Sequence, residues 1–194
     1  MTKHDFFSRY RDRLPLDRLL VVEERITSAL ADHVIGRILD LESASRADIY
    51  LFIASPGGDL KAALAIYEAM RFTNCHVATI AVGDAASSAA LLLAAGSPGC
   101  RGALSRTRIT LHPPRAECPG HEIDGMQMRR LSALVFRILS EHIGHPPAAI
   151  EAEARNELTF TARQARSYGL VDWVDDLPPA RGRPLRSAAS LRSV

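Results

Sequence analysis

With 194 residues, of which 47% are hydrophobic and 24% charged, the chain has the length and composition of one globular domain, which excludes a disordered or fibrous protein. No apolar run reaches the roughly 18 residues of a membrane span, and the charged N-terminus is unlike a signal peptide, so we expect a cytoplasmic protein. Three widely spaced cysteines form no CxxC pair, and we expect no metal or other cofactor. The net charge of +2 comes from arginine-rich ends, and the mildly acidic body between them argues against a nucleic-acid-binding face.

Short apolar runs and helical periods alternate along the chain. Buried strands are predicted at residues 48–54, 77–82 and 107–111. The turns after the first two strands, Ser55-Pro56-Gly57-Gly58 and Gly83-Asp84, each open a helix. Asp59 caps the first helix, and the second, rich in Ala and Leu, covers about residues 86–95. This repetition of strand, glycine turn and helix is typical of βαβ units around a parallel sheet.

The longest predicted helix runs from His121 to Ile143 and carries apolar residues on more than one side. A helix of that kind needs a second surface to bury against, so we expect self-association through it. Two shorter helices and a final strand are predicted at about residues 147–156, 161–168 and 170–174. The domain proper spans residues 18–177, between an N-terminal segment, 1–17, and a flexible basic tail, 178–194.

The predicted topology gathers candidate catalytic groups at one edge of the sheet. Two helix N-termini follow neighbouring strands, and ligands of open α/β sheets bind in such a crevice. Ser87 and Ser88 lie at the start of the second helix, where a hydroxyl would be a nucleophile and the N–H after it would help to hold an oxyanion. Taken singly, a serine at a helix start is typically a cap, and His112 at a strand end is typically structural. Together they place a serine and a histidine at the same end of adjacent strands, beside backbone donors, which is a serine-hydrolase constellation.

Several motifs make the chain resemble the ClpP peptidase family in order and spacing. The family patterns SPGG, GxAASMGA, HQP and YGLVD are matched by Ser55-Pro56-Gly57-Gly58, Gly83-Asp-Ala-Ala-Ser-Ser-Ala-Ala90, His112-Pro113-Pro114 and Tyr168-Gly-Leu-Val-Asp172. The resemblance covers about residues 5–175. It implies an α/β spiral of the ClpP/crotonase type with a protruding handle helix, heptameric rings of this chain or of paralogues, and an internal proteolytic chamber fed with unfolded polypeptides by a hexameric AAA+ unfoldase.

The resemblance also implies a role for each matching position. Ser87 corresponds to the nucleophile, His112 to the general base, and Glu157 to the triad acid, which is aspartate in the family. The N–H groups of Gly58 and Ser88 correspond to the oxyanion hole. The helix at residues 121–143 corresponds to the handle between rings. Four residues correspond to part of the apolar cleft that receives unfoldase loops: Tyr50, Phe52, Phe72 and Ile80.

Departures from the family pattern leave alternatives open. Glu157 is otherwise a solvated carboxylate, and Glu153 is a substitute only if its helix shifts. Asn156 replaces a ring-coupling arginine, Ser88-Ala89 replaces Met-Gly, and residues 115–119 replace a glycine-rich strand that pairs with substrate. The alternative to an active serine endopeptidase is therefore a catalytically weak or inactive subunit that modulates an active paralogue. A crotonase-type acyl-CoA enzyme is a third hypothesis, which leaves Ser87 and His112 unexplained.

Overall fold

The computed structural model describes residues 15–114 and 125–175. Most of the predicted N-terminal segment, the tail at 178–194, the altered substrate strand at 115–119 and the first residues of the predicted handle helix lie outside these ranges. Within them, no helix is both long and apolar enough to cross a membrane.

A five-stranded parallel sheet lies at the centre of the described residues. Its strands, in spatial order, are β1 (Leu19–Val22), β2 (Ile49–Ile53), β3 (Val77–Ala81), β5 (Arg101–Ala103) and β8 (Trp173–Val174). Every residue of β2 and β3 is buried, as expected for parallel strands that are covered on both faces. The prediction of a parallel sheet is confirmed, although the last strand begins at Trp173 and not at Leu170.

Six helices surround this sheet in the described ranges: α1 (Ser28–Ala44), α2 (Leu60–Phe72), α3 (Ser88–Ala94), α4 (Gly125–Ile143), α5 (Pro147–Ala154) and α6 (Ala162–Tyr168). The predicted cap of α2 is confirmed, because the Asp59 carboxylate accepts from the N–H groups of Lys61 and Ala62 at 2.7 and 3.2 Å. The Thr161 side chain caps α6, which ends at Gly169 with φ 90°.

A second, three-stranded sheet holds the strand that we predicted at residues 107–111. It consists of β4 (Ala85–Ala86), β6 (Arg108–Leu111) and β7 (Leu158–Thr161). β4 pairs with β6 in parallel, and β6 pairs with β7 antiparallel. Placing this strand in the central sheet was therefore wrong, and so was starting the second helix at residue 86. Both errors have one cause: Ala85 and Ala86 pair with Ile109 and Thr110, so the backbone stays extended before α3.

The handle helix α4 is buried only in its C-terminal half, among the described residues. Its buried side chains are Val135, Phe136, Ile138 and Leu139. Nearer its start, Met126 is 54% exposed. Among the described residues, the C-terminal end of the helix therefore packs on the domain, and its N-terminal end is more exposed.

A largely buried ion pair ties Asp172, before the last described strand, to the sheet and to α4. The Arg101 guanidinium donates to both Asp172 carboxylate oxygens, at 3.1 Å from Nε and 2.6 Å from Nη2. It also donates to the carbonyl of His142, at 3.0 Å, in the last turn of α4. This arginine thus joins β5, the segment before β8 and the handle helix.

Candidate active site

Ser87 lies between β4 and α3 in a strained backbone conformation. Its φ of 57° and ψ of −125° are rare for a residue with a side chain, and such strain costs about 1–3 kcal/mol. The turn is held by the Ser87 N–H, which donates to the Thr110 carbonyl at 2.8 Å, and by the Ser87 carbonyl, which accepts from Ala90 at 3.0 Å. The Ser87 side chain makes no capping bond to α3. A strained strand-to-helix turn of this kind resembles a nucleophile elbow, and the Ser87 side chain does not cap α3.

The glycine turn after β2 packs directly against this elbow. Ser55 anchors the turn, because its hydroxyl donates to the Glu24 carbonyl at 2.6 Å and accepts from the Gly57 N–H at 3.1 Å. Gly57 has a φ of 87°, and a Cβ there would lie 2.6 Å from the Ala86 carbonyl oxygen. A Cβ on Gly58 would lie 2.3 Å from the Ile26 carbonyl oxygen. Both positions therefore require glycine, because neighbouring backbone occupies the space of a side chain.

His112 follows β6 and lies beside α3. The parallel register pairs Ala86, the residue before Ser87, with Thr110, two residues before His112. The His112 Nδ1 is 2.8 Å from the Pro113 carbonyl oxygen. Since a carbonyl only accepts hydrogen bonds, Nδ1 carries the proton in this contact and Nε2 is left as an acceptor. A general base that takes a hydroxyl proton through Nε2 needs this tautomer.

Ser87, Ser88, His112 and Gly58 line one cavity of about 330 Å³. Its apolar wall comes from α3, β6 and α4, through Leu91, Leu111, Met128, Leu131, Val135 and Leu139. A wall of this kind accepts an apolar side chain, and the hydroxyl, the imidazole and backbone N–H groups lie beside it. Within the two described ranges, no three histidine, cysteine or acidic side chains are grouped as metal ligands.

One contact in this cavity was missed by the sequence reasoning. The Gly58 N–H, predicted as an oxyanion donor, donates to the side-chain hydroxyl of Ser88 at 3.0 Å. The Ser88 side chain is buried, with 4% exposure. The sequence does show a serine where the family pattern has methionine, but only the backbone N–H of Ser88 was assigned a role in the prediction.

The two glutamates considered as triad acids lie in different surroundings. The antiparallel ladder ends at the pair Leu111 and Leu158, so His112 directly follows β6 and Glu157 directly precedes β7 at the same end of the two strands. Glu157 is exposed and has a φ of 56°. Glu153 instead accepts from the Tyr168 hydroxyl at 2.5 Å, and burial together with this carboxylate raises the pKa of Tyr168. That bond ties Glu153 to α6, whereas Glu157 lies at the strand end next to the one that carries His112.

The four residues predicted to line an unfoldase cleft differ in their exposure to solvent. Tyr50, Phe52 and Ile80 are buried in one cluster on the central sheet, together with Ala78 and Leu104. Phe72 is 86% exposed at the end of α2. Within the described residues, Phe72 alone among the four presents an open apolar surface.

Comparisons with known proteins agree with this arrangement of motifs. The sequence model of the Clp protease family matches residues 3–176. The chain belongs to the Clp protease family. It is 36% identical over 184 residues to a Streptomyces coelicolor protein named as ATP-dependent Clp protease proteolytic subunit-like, covering 91% of this chain and 86% of that protein.

A second relative is the ATP-dependent Clp protease proteolytic subunit 2 of Frankia casuarinae, 37% identical over 167 residues, which cover 84% of this chain and 77% of that protein. The predicted resemblance to the Clp protease family and the α/β fold class are thereby confirmed. Membership in this family implies a peptidase.

Proposed function

We propose that this member of the Clp protease family is a serine endopeptidase subunit. The observation that carries the proposal is the strained elbow at Ser87, whose uncapped side chain shares a cavity with His112. Proteins retain such strain mainly where the surrounding structure over-determines it, and a reactive hydroxyl at a strand-to-helix turn is a familiar case.

In the proposed reaction, the Ser87 hydroxyl attacks the peptide carbonyl while Nε2 of His112 takes its proton. The tetrahedral intermediate expels the amine, which receives that proton from His112, and an acyl-enzyme remains. Water then attacks the ester by the same route and releases the acid product. Backbone N–H groups of Gly58 and Ser88 stabilise the oxyanion. Glu157 faces the imidazolium and stabilises its charge.

The cavity supports a preference for an apolar residue on the acyl side of the cleaved bond. Its leucine- and methionine-containing wall starts beside Ser87 and continues along α4. An apolar side chain packed against this wall is removed from water, which is favourable. Unfolded polypeptides, whose apolar side chains are accessible, fit such a site.

We place this activity in an oligomer of stacked heptameric rings, served by a hexameric AAA+ unfoldase. Support comes from the apolar residues that the sequence places on more than one side of the handle helix, and from Phe72, which is the accessible candidate for unfoldase contact. Sedimentation velocity tests the assembly: we expect a species far larger than the 21.2 kDa chain. A monomer at micromolar concentration would contradict it.

A fluorophosphonate probe, which reacts with activated serines, tests the chemistry. We expect labelling of the wild type and of Ser167→Ala, whose hydroxyl bonds to the Arg163 carbonyl on α6, away from the cavity. We expect none of Ser87→Ala. If the wild type and Ser87→Ala are equally labelled, or neither is labelled, Ser87 is not a nucleophile in this chain.

A second candidate function is a weakly active subunit that modulates an active paralogue in a mixed ring. The observation in its favour is the Gly58 N–H, which already has an acceptor in the Ser88 hydroxyl. Under this alternative, Ser87→Ala would not change the peptidase activity of mixed rings, whereas omission of the whole chain would.

A further inference from the structure

The bond between Gly58 and Ser88 joins two parts of the proposed oxyanion hole. Gly58 lies in the turn after β2, and Ser88 is the first residue of α3. In the proposed reaction, the Gly58 N–H points to the substrate oxygen. In this structure it points to the Ser88 hydroxyl oxygen at 3.0 Å. One N–H cannot donate fully to both oxygens, so substrate and side chain compete for it.

The Ser88 hydroxyl can leave this position by rotation about one bond. At the first position of α3, Ser88 has no preceding helical turn to restrict its χ1 angle, and serine hydroxyls adopt several staggered rotamers. Other contacts hold Gly57 and Gly58 in place. The Ser55 hydroxyl accepts from the Gly57 N–H, and the Ile26 carbonyl accepts at 2.8 Å from the N–H of Asp59, the residue after Gly58. The turn therefore stays in place while the side chain moves.

We propose that the side chain of Ser88 limits the rate of the Ser87 reaction by occupying the Gly58 donor in the free protein. The proposal rests on the proposed serine peptidase function. In the resting state the hydroxyl oxygen takes the place of the substrate oxygen. When the acyl group binds, Ser88 rotates away, and the Gly58 N–H becomes available to the developing oxyanion. The hydrogen bond lost in this rotation is subtracted from the stabilisation of the transition state.

Ser88→Ala removes the competing oxygen and leaves both backbone donors in place. A neutral hydrogen bond of this kind corresponds to about a three- to tenfold effect on a rate. We therefore expect fluorophosphonate labelling of Ser87 to be about three- to tenfold faster in Ser88→Ala. Ser88→Thr keeps a hydroxyl and should label no faster than the wild type. Ser167→Ala is the matched control for the loss of a serine hydroxyl elsewhere.

Amide hydrogen exchange at Gly58 gives a readout that does not depend on activity. Removing the Ser88 hydroxyl leaves this N–H without its acceptor, so we expect exchange at Gly58 to be at least about tenfold faster in Ser88→Ala, with little change at Gly36 of α1. Faster exchange together with faster labelling supports the proposal.

The remaining outcomes overturn it in distinguishable ways. Faster exchange with unchanged or slower labelling means that the hydroxyl does not compete with substrate, and the serine peptidase function stands. Unchanged exchange means that the bond does not hold Gly58 in solution, and the proposal fails at its first step. No labelling of either the wild type or Ser88→Ala refutes the proposed function, and the role of Ser88 with it.

Discussion

Replacement of Glu157 by glutamine tests how the histidine is oriented. In many serine hydrolases the acid holds the correct tautomer of the histidine, and its loss lowers kcat by about 10⁴-fold. Here the Pro113 carbonyl already accepts from Nδ1 of His112 at 2.8 Å. Glu157→Gln therefore removes mainly the attraction between the carboxylate and the imidazolium, and leaves the tautomer as it is.

His112 directly follows β6 and Glu157 directly precedes β7, on either side of the last pair of these strands, Leu111 and Leu158. Two unit charges about 6 Å apart at an effective dielectric constant of about 20 interact with about 3 kcal/mol. Because Glu157 is exposed, solvent and salt reduce this to about 1–2 kcal/mol. We expect Glu157→Gln to lower kcat/KM by about 5- to 30-fold.

The assay is hydrolysis of a short fluorogenic peptide with an apolar residue before the cleaved bond. Glu68→Gln, an exposed neutralisation on α2, is the control and should leave kcat/KM unchanged. A fall near 10⁴-fold for Glu157→Gln would refute the reasoning, because it would mean that the carboxylate and not the Pro113 carbonyl fixes the tautomer. An unchanged rate would refute the electrostatic role of Glu157.

Three further predictions concern the packing around the site. Asp172→Asn breaks the largely buried pair with Arg101 and should lower the free energy of unfolding in urea by about 2–4 kcal/mol. The control, Asp84→Asn, breaks an exposed pair with Arg108 and should lower it by less than about 1 kcal/mol. Equal losses for the two variants would contradict this prediction. Gly57→Ala places a Cβ against the Ala86 carbonyl and should slow labelling of Ser87 at least about tenfold, while Gly36→Ala, which meets no atom within 4 Å, should not. Burial is the main cause, and the positive charge of Arg101 the second, that lowers the pKa of His142. The neutral form of His142 therefore stabilises the fold above pH 6.5, and this contribution is lost as the pH falls below that value. We expect Tm to decrease more between about pH 6.5 and 5 in the wild type than in His142→Gln, and parallel curves would exclude His142 as the cause.

The sequence was informative where local chemistry and periodicity agree. The continuous apolar runs at 49–53 and 77–81 identified the two central strands, and Asp59 identified the start of α2. The second sheet was not predictable in the same way. A strand of two alanines shows no alternation, and β7 alternates apolar and polar residues over only four positions, the shortest run that indicates a strand.

The candidate site was only partly predictable for a related reason. The serine, the histidine and the glycine turn belong to motifs of adjacent residues, which a sequence displays directly. The bonds from Gly58 to Ser88 and from His112 to the Pro113 carbonyl depend on rotamers and turn geometry. Residues 30 positions apart, such as Gly58 and Ser88, carry no local mark of the contact that they make in the fold.

The three-stranded sheet gives the proposed triad a common mechanical support. Ser87 follows β4, His112 follows β6, and Glu157 immediately precedes β7. A displacement of this small sheet would carry all three side chains together and preserve their mutual spacing, while it changed their distance from the glycine turn after β2. Such a displacement would then abolish activity by separating the triad from the Gly58 oxyanion donor, while the triad itself stayed intact.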